Sequence, residues 1–392
     1  MTHYDVVVLG AGASGLVCAA QCAKRGRRVV VVDHADRPGL KVHISGGGRC
    51  NVTNRRVRVE DYICANPHFV KSALAQYPPE RFLAFLAVHG VETVEADHGR
   101  LFGASGAGAV VTALLREAER AGVSWALGES LREVTATANG FLVHCRTRSF
   151  VSRTLVVATG GPAWPRIGAT DFGLRLAKQF GLRVFPARPG LVPLRASEDL
   201  VGFCRELSGI SLPVRVVVEG ARVPDGIEDA LLFTHRGISG PATLDASLYW
   251  RPGRHLAIDL LPGWDIGEVL AQAPRREVRN ALAVALPARL AELLCRHHGW
   301  SGQAGSLPKK QRLTLEQVIH GFPFLPSGTE GLDKAEATLG GVDTDGVSSK
   351  TMETKAVPGL YFTGEVLDVT GRLGGYNLQW AWSSGFVAGQ WA

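Results

Sequence analysis

Two continuous apolar runs, separated by an Ala-rich segment, open the chain. Residues 4–9 form a β-branched apolar run, which is typical of a parallel strand that is buried on both faces. Residues 16–26 predict a helix that ends at a glycine, and residues 27–33 predict a second strand that ends at an acid. The pattern therefore predicts a β-α-β unit at the start of the chain.

Further along, apolar positions at helical spacing predict three helices at about 66–76, 79–89 and 108–121. Residues 131–161 then alternate as short strands do, and the last of these strands is apolar throughout. The stretch KVHISGGGRCNVTN at 41–54 predicts neither helix nor strand, because three consecutive glycines lose much backbone entropy in either element. Such a stretch suits a place where the backbone approaches another group closely.

The second half of the chain divides into three patterns. Short β patterns occupy about 188–262, and helical patterns occupy about 266–324. Prolines mark the borders between these parts. Residues 359–385 then give a buried strand, a turn rich in glycine and a final helix. We therefore expect an insertion between two parts of one α/β domain.

The turn after the first strand, GAGASG at 10–15, carries the first sign of chemistry. Its first glycine allows a tight turn, its second lets a pyrophosphate approach the backbone, and its third lets helix and strand pack closely. The helix that follows offers free N–H groups and the positive end of its dipole. An acid that follows the second strand suits a ribose hydroxyl. The predicted dinucleotide-binding residues here are Gly10, Gly12, Ala13, Ser14, Gly15 and Asp33.

The other end of the chain indicates which dinucleotide is bound. The strand meander that ends in VVATGG at 156–161 is typical of flavoproteins with two dinucleotide-binding domains. The C-terminal segment resembles the flavoprotein motif in which an acid binds the ribityl chain or pyrophosphate and the next helix points its N-terminus at the flavin. We therefore expect both chain ends to build one FAD site. The predicted residues are Thr159, Gly160, Gly161, Gly364, Glu365, Asp368, Gly374, Gly375, Tyr376 and Asn377.

With these motifs in place, the stretch at 41–54 is interpreted as a loop that lies against FAD. Its predicted cofactor-binding residues are Lys41, Gly46, Gly47, Gly48, Arg49 and Asn51. Cys50, Arg49 and Tyr376 are the candidate catalytic residues. A thiol beside the flavin ring is a reasonable general acid, and an adjacent guanidinium could lower its pKa. The alternative is that Cys50 only packs beneath the loop and that Arg49 clamps the pyrophosphate.

Several long motifs resemble a bacterial flavoprotein family with BaiN-like and aminoacetone-oxidase-type members. The matching segments include ISGGGRCNVTN (44–54), LLFTHRGISGPATLDAS (231–247) and TMETKAVPGLYFTGEVLDVTGRLGGYNLQWAWSSG (351–385). The resemblance implies an α/β fold with a Rossmann-like FAD-binding domain split over 1–187 and 341–392. It also implies an inserted β-barrel-like domain at 188–340 with a helical segment at about 266–324.

The sequence departs from that pattern after ATGG. Many relatives carry Ser-Tyr-Pro there, whereas this chain has Ala163-Trp164-Pro165, which removes a phenolic donor. Arg372 also stands where small or acidic residues are common. These differences suggest a subfamily whose substrate need not be that of another branch.

Composition narrows the function classes. The chain of 392 residues is 46% hydrophobic and 20% charged, and it has no apolar run long enough to span a membrane. Its N-terminus does not read as a signal peptide, and its seven cysteines are scattered, so we expect a cytoplasmic protein without a metal site. The formal charge of +7 permits an anionic partner. Basic clusters lie at 55–58, 274–279 and 308–312, where a solvated face is the ordinary explanation.

The leading hypothesis is an FAD-dependent oxidoreductase that reduces a polarised C=C bond by hydride transfer from flavin N5. A small-molecule enone and a uracil base in ribosomal RNA, which would give dihydrouridine, both stay open as substrates. A second glycine motif after a strand is missing from the middle of the chain. NAD(P)H is therefore expected to bind only transiently as the electron donor. The alternatives are a flavin amine oxidase that uses O2 and a non-catalytic RNA-binding flavoprotein.

Overall fold

The computed structural model describes residues 2–221 and 226–392. The chain forms two compact units, unit 1 (residues 1–189 and 336–392) and unit 2 (residues 190–335). The predicted insertion at 188–340 starts two residues earlier and ends five residues later than unit 2. Within the described residues, no helix combines the length and the apolar character that a membrane span requires.

The strands are short in most places. In chain order they are β1 (Thr2–Leu9), β2 (Val29–Val32), β3 (Asn51–Asn54), β4 (Tyr62–Ile63), β5 (Thr93–Ala96), β6 (Arg100–Gly103), β7 (Ser124–Ala126), β8 (Leu131–Thr137), β9 (Gly140–Cys145), β10 (Ser149–Val157), β11 (Val184–Gly190), β12 (Leu194–Ala196), β13 (Ser211–Val218), β14 (Ile227–Thr234), β15 (Gly237–Ser239), β16 (Leu256–Asp259), β17 (Phe322–Phe324), β18 (Pro326–Thr329), β19 (Ala337–Val342), β20 (Leu360–Phe362) and β21 (Thr370–Gly371).

Helices are present where the sequence predicts them, but four further helices were not predicted, and two of these lie within the predicted β region at 188–262. In chain order they are α1 (Ala13–Lys24), α2 (Leu40–Ile44), α3 (Val70–Gln76), α4 (Pro79–Val88), α5 (Ala107–Arg120), α6 (Phe172–Gln179), α7 (Glu198–Glu206), α8 (Pro241–Tyr249), α9 (Ile266–Gln272), α10 (Val278–Leu282), α11 (Ala288–His298), α12 (Lys309–His320) and α13 (Tyr376–Trp391).

Unit 1 is built on a mostly parallel sheet. Strands β7, β2, β1 and β10 lie side by side in that order and run parallel. The first half of β10 pairs antiparallel with β9, whereas its second half pairs parallel with β20 near the C-terminus. The apolar residues of β1 and β2 are buried on both faces, as their continuous β-branched runs predict. The predicted α/β class is therefore confirmed.

Two parallel helices, α1 and α13, join the beginning and the end of the chain in unit 1. A Cβ atom built on Gly385 would lie 2.4 Å from the carbonyl oxygen of Ser14, and one on Gly389 would lie 2.8 Å from that of Cys18. The residue numbers of the contacts increase together along α1 and α13, so the two helices run in the same direction. Glycine at both contact positions permits this close approach.

Residues 40–54 contain more regular structure than the sequence predicts. The polar and apolar residues before the glycines form the short helix α2, and the residues after Cys50 form β3, which pairs antiparallel with β6. The regular structure is interrupted between them, because Gly46, Gly47 and Gly48 have left-handed φ angles of 56°, 66° and 85°, and Cys50 also has a left-handed φ of 55°. A helix one turn long and a four-residue strand give too weak a periodic signal to recognise beside a glycine run.

Unit 2 has its own sheet and its own core. The strand order is β17-β16-β13-β14-β15-β12-β18, so its two outermost strands are consecutive in the chain and are joined by Leu325 alone. The sheet must therefore curve until its edges approach each other. A closed barrel stays a prediction, because within the described residues no ladder joins β17 to β18. Helices α9 to α12 fall within the predicted helical segment and bury their apolar faces in the core of this unit.

Candidate functional site

The glycine-rich turn after β1 leaves space beside the N-terminus of α1. A Cβ on Gly10 would lie 2.4 Å from the carbonyl oxygen of Ala158, and one on Gly15 would lie 2.0 Å from that of Gly10. These contacts pack helix against strand. By contrast, a Cβ on Gly12 would meet no heavy atom of the described chain within 4 Å. The turn therefore leaves clear space at the residue where a phosphate needs to approach the backbone.

The first turn of α1 suits an anion. Among the described residues, no side chain caps this turn, and its first four residues include no acid. Its N–H groups and the positive end of the helix dipole are therefore available to a pyrophosphate.

Asp33 fixes the turn as well as facing the site. Its carboxylate accepts hydrogen bonds from the backbone N–H of Ala11 (2.6 Å) and of Ala35 (2.8 Å). The side chain stays partly exposed. Its remaining acceptor capacity is open to a ribose hydroxyl, the role that its position after β2 predicts.

The N-terminus of α13 is the second open helix end, and β3 holds it in place. Asn51 accepts a hydrogen bond from the backbone N–H of Gly375 at 3.1 Å. Asn54 donates to the carbonyl oxygen of Gly374 at 3.1 Å. A Cβ on Gly375, whose φ is 94°, would lie 2.4 Å from the carbonyl oxygen of Thr53. Only glycine therefore lets the start of α13 lie against this strand.

Side chains further along α13 continue the same contact. Thr53 donates to the side-chain oxygen of Gln379 at 2.7 Å, and the indole of Trp382 donates to the carbonyl oxygen of Val52 at 2.8 Å. The Trp382 ring stacks on Phe82 with a centroid distance of 4.3 Å. Within the described chain, no side chain forms a cap bond at the N-terminus of α13, and the first turn of this helix contains no acid.

The two helix ends are offset in a way that suits an elongated ligand. Ser14 is the second residue of α1, whereas the residue that packs against it, Gly385, is the tenth of α13. At 1.5 Å per residue, α13 therefore begins about 12 Å before α1. Both ends point the same way. The residues present therefore fit FAD, with the pyrophosphate at one helix end and the flavin towards the other.

An ion pair lies beside these helix ends. Lys41 on α2 contacts one carboxylate oxygen of Glu365 at 2.5 Å, and the other oxygen accepts a hydrogen bond from the backbone N–H of Thr338 at 2.8 Å. A Cβ on Gly160 would have only the Glu365 carboxylate, at 3.8 Å, as a neighbour in the described chain. The pair therefore lines the edge of open space next to the turn after β10.

Exposure separates the predicted site residues into two groups. A side chain or backbone with accessible surface can contact a ligand, whereas a buried one can only position its neighbours. The accessible residues are Gly10, Gly12, Ala13, Asp33, Lys41, Gly46, Gly47, Gly48, Arg49, Asn51, Thr159, Gly160, Glu365, Gly375, Tyr376 and Asn377. The buried residues are Ser14, Gly15, Cys50, Gly161, Gly364, Asp368 and Gly374.

Cys50 lies in a hydrophobic cluster of unit 1. Its side chain is 0% exposed and packs among residues such as Val52, Phe82 and Trp382. Burial raises the pKa of its thiol to about 12, although a hydrogen bond with Ser45 opposes this shift. The thiol therefore stays protonated at neutral pH but offers no surface to a substrate. This placement fits the packing alternative, and the acid role of Cys50 stays a prediction.

Arg49 and Tyr376 are the accessible members of the predicted catalytic group. The Arg49 guanidinium lies 4.2 Å from the centroid of the Phe102 ring on an exposed part of the loop. It is therefore held over an aromatic face while its N–H groups remain able to bind an anion. Tyr376 opens α13, where its carbonyl oxygen accepts a hydrogen bond from the Tyr62 hydroxyl at 3.1 Å.

Two predicted cofactor-binding side chains make contacts within the protein. The Asn377 amide both accepts from the N–H of Gly371 and donates to its carbonyl oxygen, each at 2.8 Å. Asp368 accepts from the N–H of Ala65 at 2.9 Å, and burial raises the pKa of its carboxyl. Both residues therefore hold the chain that leads into α13.

Sequence reasoning missed the residues that assemble the site from distant segments. Thr338 accepts a hydrogen bond from Ala163 and donates its backbone N–H to Glu365. Gln379 and Ser383 both bond the carbonyl oxygen of Tyr77 inside α13's buried face. Polar residues inside an otherwise apolar final helix were the available signal, because buried polar groups need partners.

Comparisons with known proteins cover the whole of this architecture. The family described as HI0933-like protein Rossmann domain matches residues 4–391. The ribosomal RNA dihydrouridine synthase of Escherichia coli (strain K12) is 42% identical over 402 residues, which cover 100% of this chain and 98% of that protein. The 3-dehydro-bile acid delta(4,6)-reductase of Clostridium scindens is 29% identical over 402 residues, and the match covers 98% of this chain and 97% of that protein.

A solved structure supports the fold alone. The Sdh1 complex of Mycobacterium smegmatis in the apo form has a TM-score of 0.51 at 19% identity, and the match covers 99% of this chain and 68% of that chain.

Proposed function

From the premise that the chain belongs to the HI0933-like protein family, we propose that it reduces a uracil base in ribosomal RNA to dihydrouridine. The family and its relatives confirm the expected Rossmann-like FAD-binding domain and the class of FAD-dependent oxidoreductase. The choice of RNA over a small enone, and of NAD(P)H as the electron donor, is the proposal.

Full-length similarity to a ribosomal RNA dihydrouridine synthase is the observation that carries this choice. The 42% identity extends over 100% of this chain, so it includes both chain ends that build the site as well as unit 2. The relative that acts on a bile acid is 29% identical over a similar length. The comparison therefore favours the RNA base, while both relatives act on a substrate in keeping with the expected C=C reduction.

Bound FAD would supply a hydride at one carbon of the polarised double bond. The chain's own residues have separate tasks. The N-terminus of α1 and the space beside Gly12 would bind the pyrophosphate, and Asp33 would bind the ribose. The N-terminus of α13 would stabilise negative charge on the pyrimidine side of the ring. Exposed Arg49 would bind an anionic group of the cofactor or substrate.

The overall reaction balances with NAD(P)H as the reductant. Uracil, NAD(P)H and one proton give 5,6-dihydrouracil and NAD(P)+. Hydride reaches C6, which is the electrophilic carbon conjugated to the C4 carbonyl, and the proton reaches C5. A base within folded RNA must leave its stack before it can meet the cofactor. We further propose that the protein works in the cytoplasm, where ribosomal RNA is found.

Deletion of the gene tests this function in the cell. Ribosomal RNA from the deletion strain is expected to lack one dihydrouridine, detected by mass spectrometry as a loss of 2 Da in one nuclease fragment. A plasmid that carries the wild-type chain restores the mass, whereas one that carries Gly12→Asp, which places a carboxylate where the pyrophosphate should bind, does not. Unchanged ribosomal RNA together with an altered metabolite would instead support a small-molecule enone.

A further inference from the structure

One part of unit 2 carries most of the net charge of the protein. Residues 274–316 contain eight Lys or Arg residues and three Asp or Glu residues, a formal charge of +5, compared with +7 for the whole chain. Nothing in the packing of a hydrophobic core calls for such a concentration. It is the electrostatic footprint expected of a surface that meets a polyanion.

Folding brings the two basic clusters of this region together. The backbone N–H of Ala304 donates to the carbonyl oxygen of Arg276 at 2.9 Å, and that of Gly305 donates to Pro274 at 2.8 Å. The segment at 274–278 therefore runs beside the segment at 302–305. Lys309 is the fourth residue after Gly305, so their Cα atoms lie within about 14 Å of each other.

The basic residues of this region differ in how they are used. Three of them are engaged within unit 2, since Arg279 pairs with Glu277, Arg296 pairs with Glu206, and Arg289 donates to the carbonyl oxygen of Ser208. Five others are exposed, and their side chains have no ion-pair or hydrogen-bond partner among the residues that the structure describes. They are Arg275, Arg276, Lys309, Lys310 and Arg312.

The start of α12 opposes its own helix dipole. Its first four residues, KKQR, are basic at three positions and acidic at none. Pro308 stands at the N-cap and cannot cap the helix through its side chain. Positive charge at the positive end of a helix is unfavourable, and an anion bound there would relieve it. A sequence under selection for stability alone favours the opposite charge at these positions.

We propose that these five side chains form a surface that binds the phosphate backbone of ribosomal RNA. This proposal rests on the proposed function. It adds which surface binds the RNA backbone, in addition to the site where the base reacts. Lys and Arg recognise phosphate without reading sequence, so the surface supplies affinity and position, while selection of the uracil belongs to the site in unit 1. Release of counterions then makes binding depend steeply on salt.

Charge reversal at the start of α12 is the sharpest test, because RNA binding and stability should change in opposite directions. Lys309→Glu/Lys310→Glu places acids in the first turn, so the FAD-loaded protein is expected to melt at a higher temperature than the wild type. The same variant should bind fluorescein-labelled ribosomal RNA at least about tenfold more weakly, with a log K against log salt slope reduced by about 2. Weaker RNA binding by a more stable protein cannot be attributed to unfolding.

The matched control reverses two exposed charges on α5 of unit 1, Arg116→Glu/Arg120→Glu. It makes the same change in net charge and should leave RNA binding within about twofold of the wild type. The proposal is overturned if Lys309→Glu/Lys310→Glu binds the RNA as tightly as the wild type. It is also overturned if the control loses as much affinity, or if the wild type does not bind the RNA.

Activity measured on the same proteins separates this proposal from the proposed function. NADPH-driven bleaching of the flavin should be equal in the wild type and in Lys309→Glu/Lys310→Glu, whereas dihydrouridine formation should fall in the variant at RNA concentrations below saturation. Wild-type protein that binds RNA through this surface without forming dihydrouridine would contradict the proposed function alone. Dihydrouridine formed equally by both proteins at all RNA concentrations would contradict the binding surface alone.

Discussion

The N-termini of α1 and α13 both lie in unit 1 without a side-chain cap bond in the described chain, but they are held in place differently. The start of α1 is fixed by residues within one β-α-β unit, such as Gly10 and Asp33. The start of α13 is fixed by β3, and the bond from Thr53 to Gln379 spans 326 residues of sequence. The turn expected to bind the pyrophosphate is therefore fixed by residues close in sequence. The N-terminus of α13, where the flavin is expected, depends on contacts between residues far apart in sequence.

The difference predicts separate consequences for mutation. Changes at the local end should affect the cofactor more than the fold, because Gly12 has free space around it. Changes at the N-terminus of α13 should affect both cofactor binding and the stability of the fold, because the start of α13 is part of a buried contact.

Substitution of Gly375, at the start of α13, should have the largest effect on stability. In Gly375→Ala the new Cβ would lie 2.4 Å from the carbonyl oxygen of Thr53, at a φ of 94° that disfavours any side chain. We expect a loss of about 3 kcal/mol in the free energy of unfolding of the apoprotein, together with loss of FAD. Urea denaturation and FAD fluorescence titration measure the two quantities.

Gly12→Ala is the matched change at the local end. Its φ of −83° suits alanine, and the described chain has no atom within 4 Å of the new Cβ. The free energy of unfolding of the apoprotein should stay within about 0.5 kcal/mol of the wild type, while FAD binds more weakly. Equal destabilisation by the two alanines would show that the two ends are not held differently.

The hydrogen bond between β3 and α13 should have the next largest effect. Thr53→Val keeps the shape of the side chain but leaves the buried oxygen of Gln379 without its donor. We expect the free energy of unfolding to fall by about 1–3 kcal/mol in urea denaturation. Thr53→Ser, which keeps the hydroxyl, is the control and should lose less. A larger loss in the serine variant would mean that the methyl group, not the bond, joins strand and helix.

Cys50 tests whether the loop before β3 supports the fold or takes part in catalysis. Cys50→Ala deletes one fully buried atom, so the free energy of unfolding should fall by about 1 kcal/mol. With FAD content restored, the rate of dihydrouridine formation should equal that of the wild type. A fall of about 100-fold or more in that rate at normal FAD content would instead make the thiol the general acid.

A pH titration of Asp368 should give the smallest effect. Burial raises the pKa of its carboxyl in the folded state, so the folded protein binds this proton more tightly than the unfolded chain does. Its contribution to stability is therefore present at low pH and is lost as the pH rises through the folded pKa. The free energy of unfolding of the wild type minus that of Asp368→Asn should fall as the pH rises above about 4, the ordinary pKa of an aspartate carboxyl. A difference that rises with pH would contradict this sign.

Local signals made much of the fold predictable. The apolar runs of β1 and β2 and the glycines between them identify the cofactor turn, because each acts on residues close by in sequence. The role of β3 was not predictable, because Asn51 and Asn54 find partners at Gly374 and Gly375 only after the chain has folded. Burial of Cys50 was one of two alternatives that the sequence left open, since a thiol beside three glycines and an arginine also suits an exposed loop.

The proposed reduction of uracil in ribosomal RNA can be tested with purified components in one reaction. Purified FAD-loaded protein is mixed under argon with NADPH and ribosomal RNA from the deletion strain, and nuclease fragments are weighed by mass spectrometry. We expect a gain of 2 Da in one uridine-containing fragment when NADPH is present and no gain without it. RNA of unchanged mass would contradict this function. Consumption of an added amine with reoxidation of the flavin, in a parallel sample opened to air, would favour the amine oxidase instead.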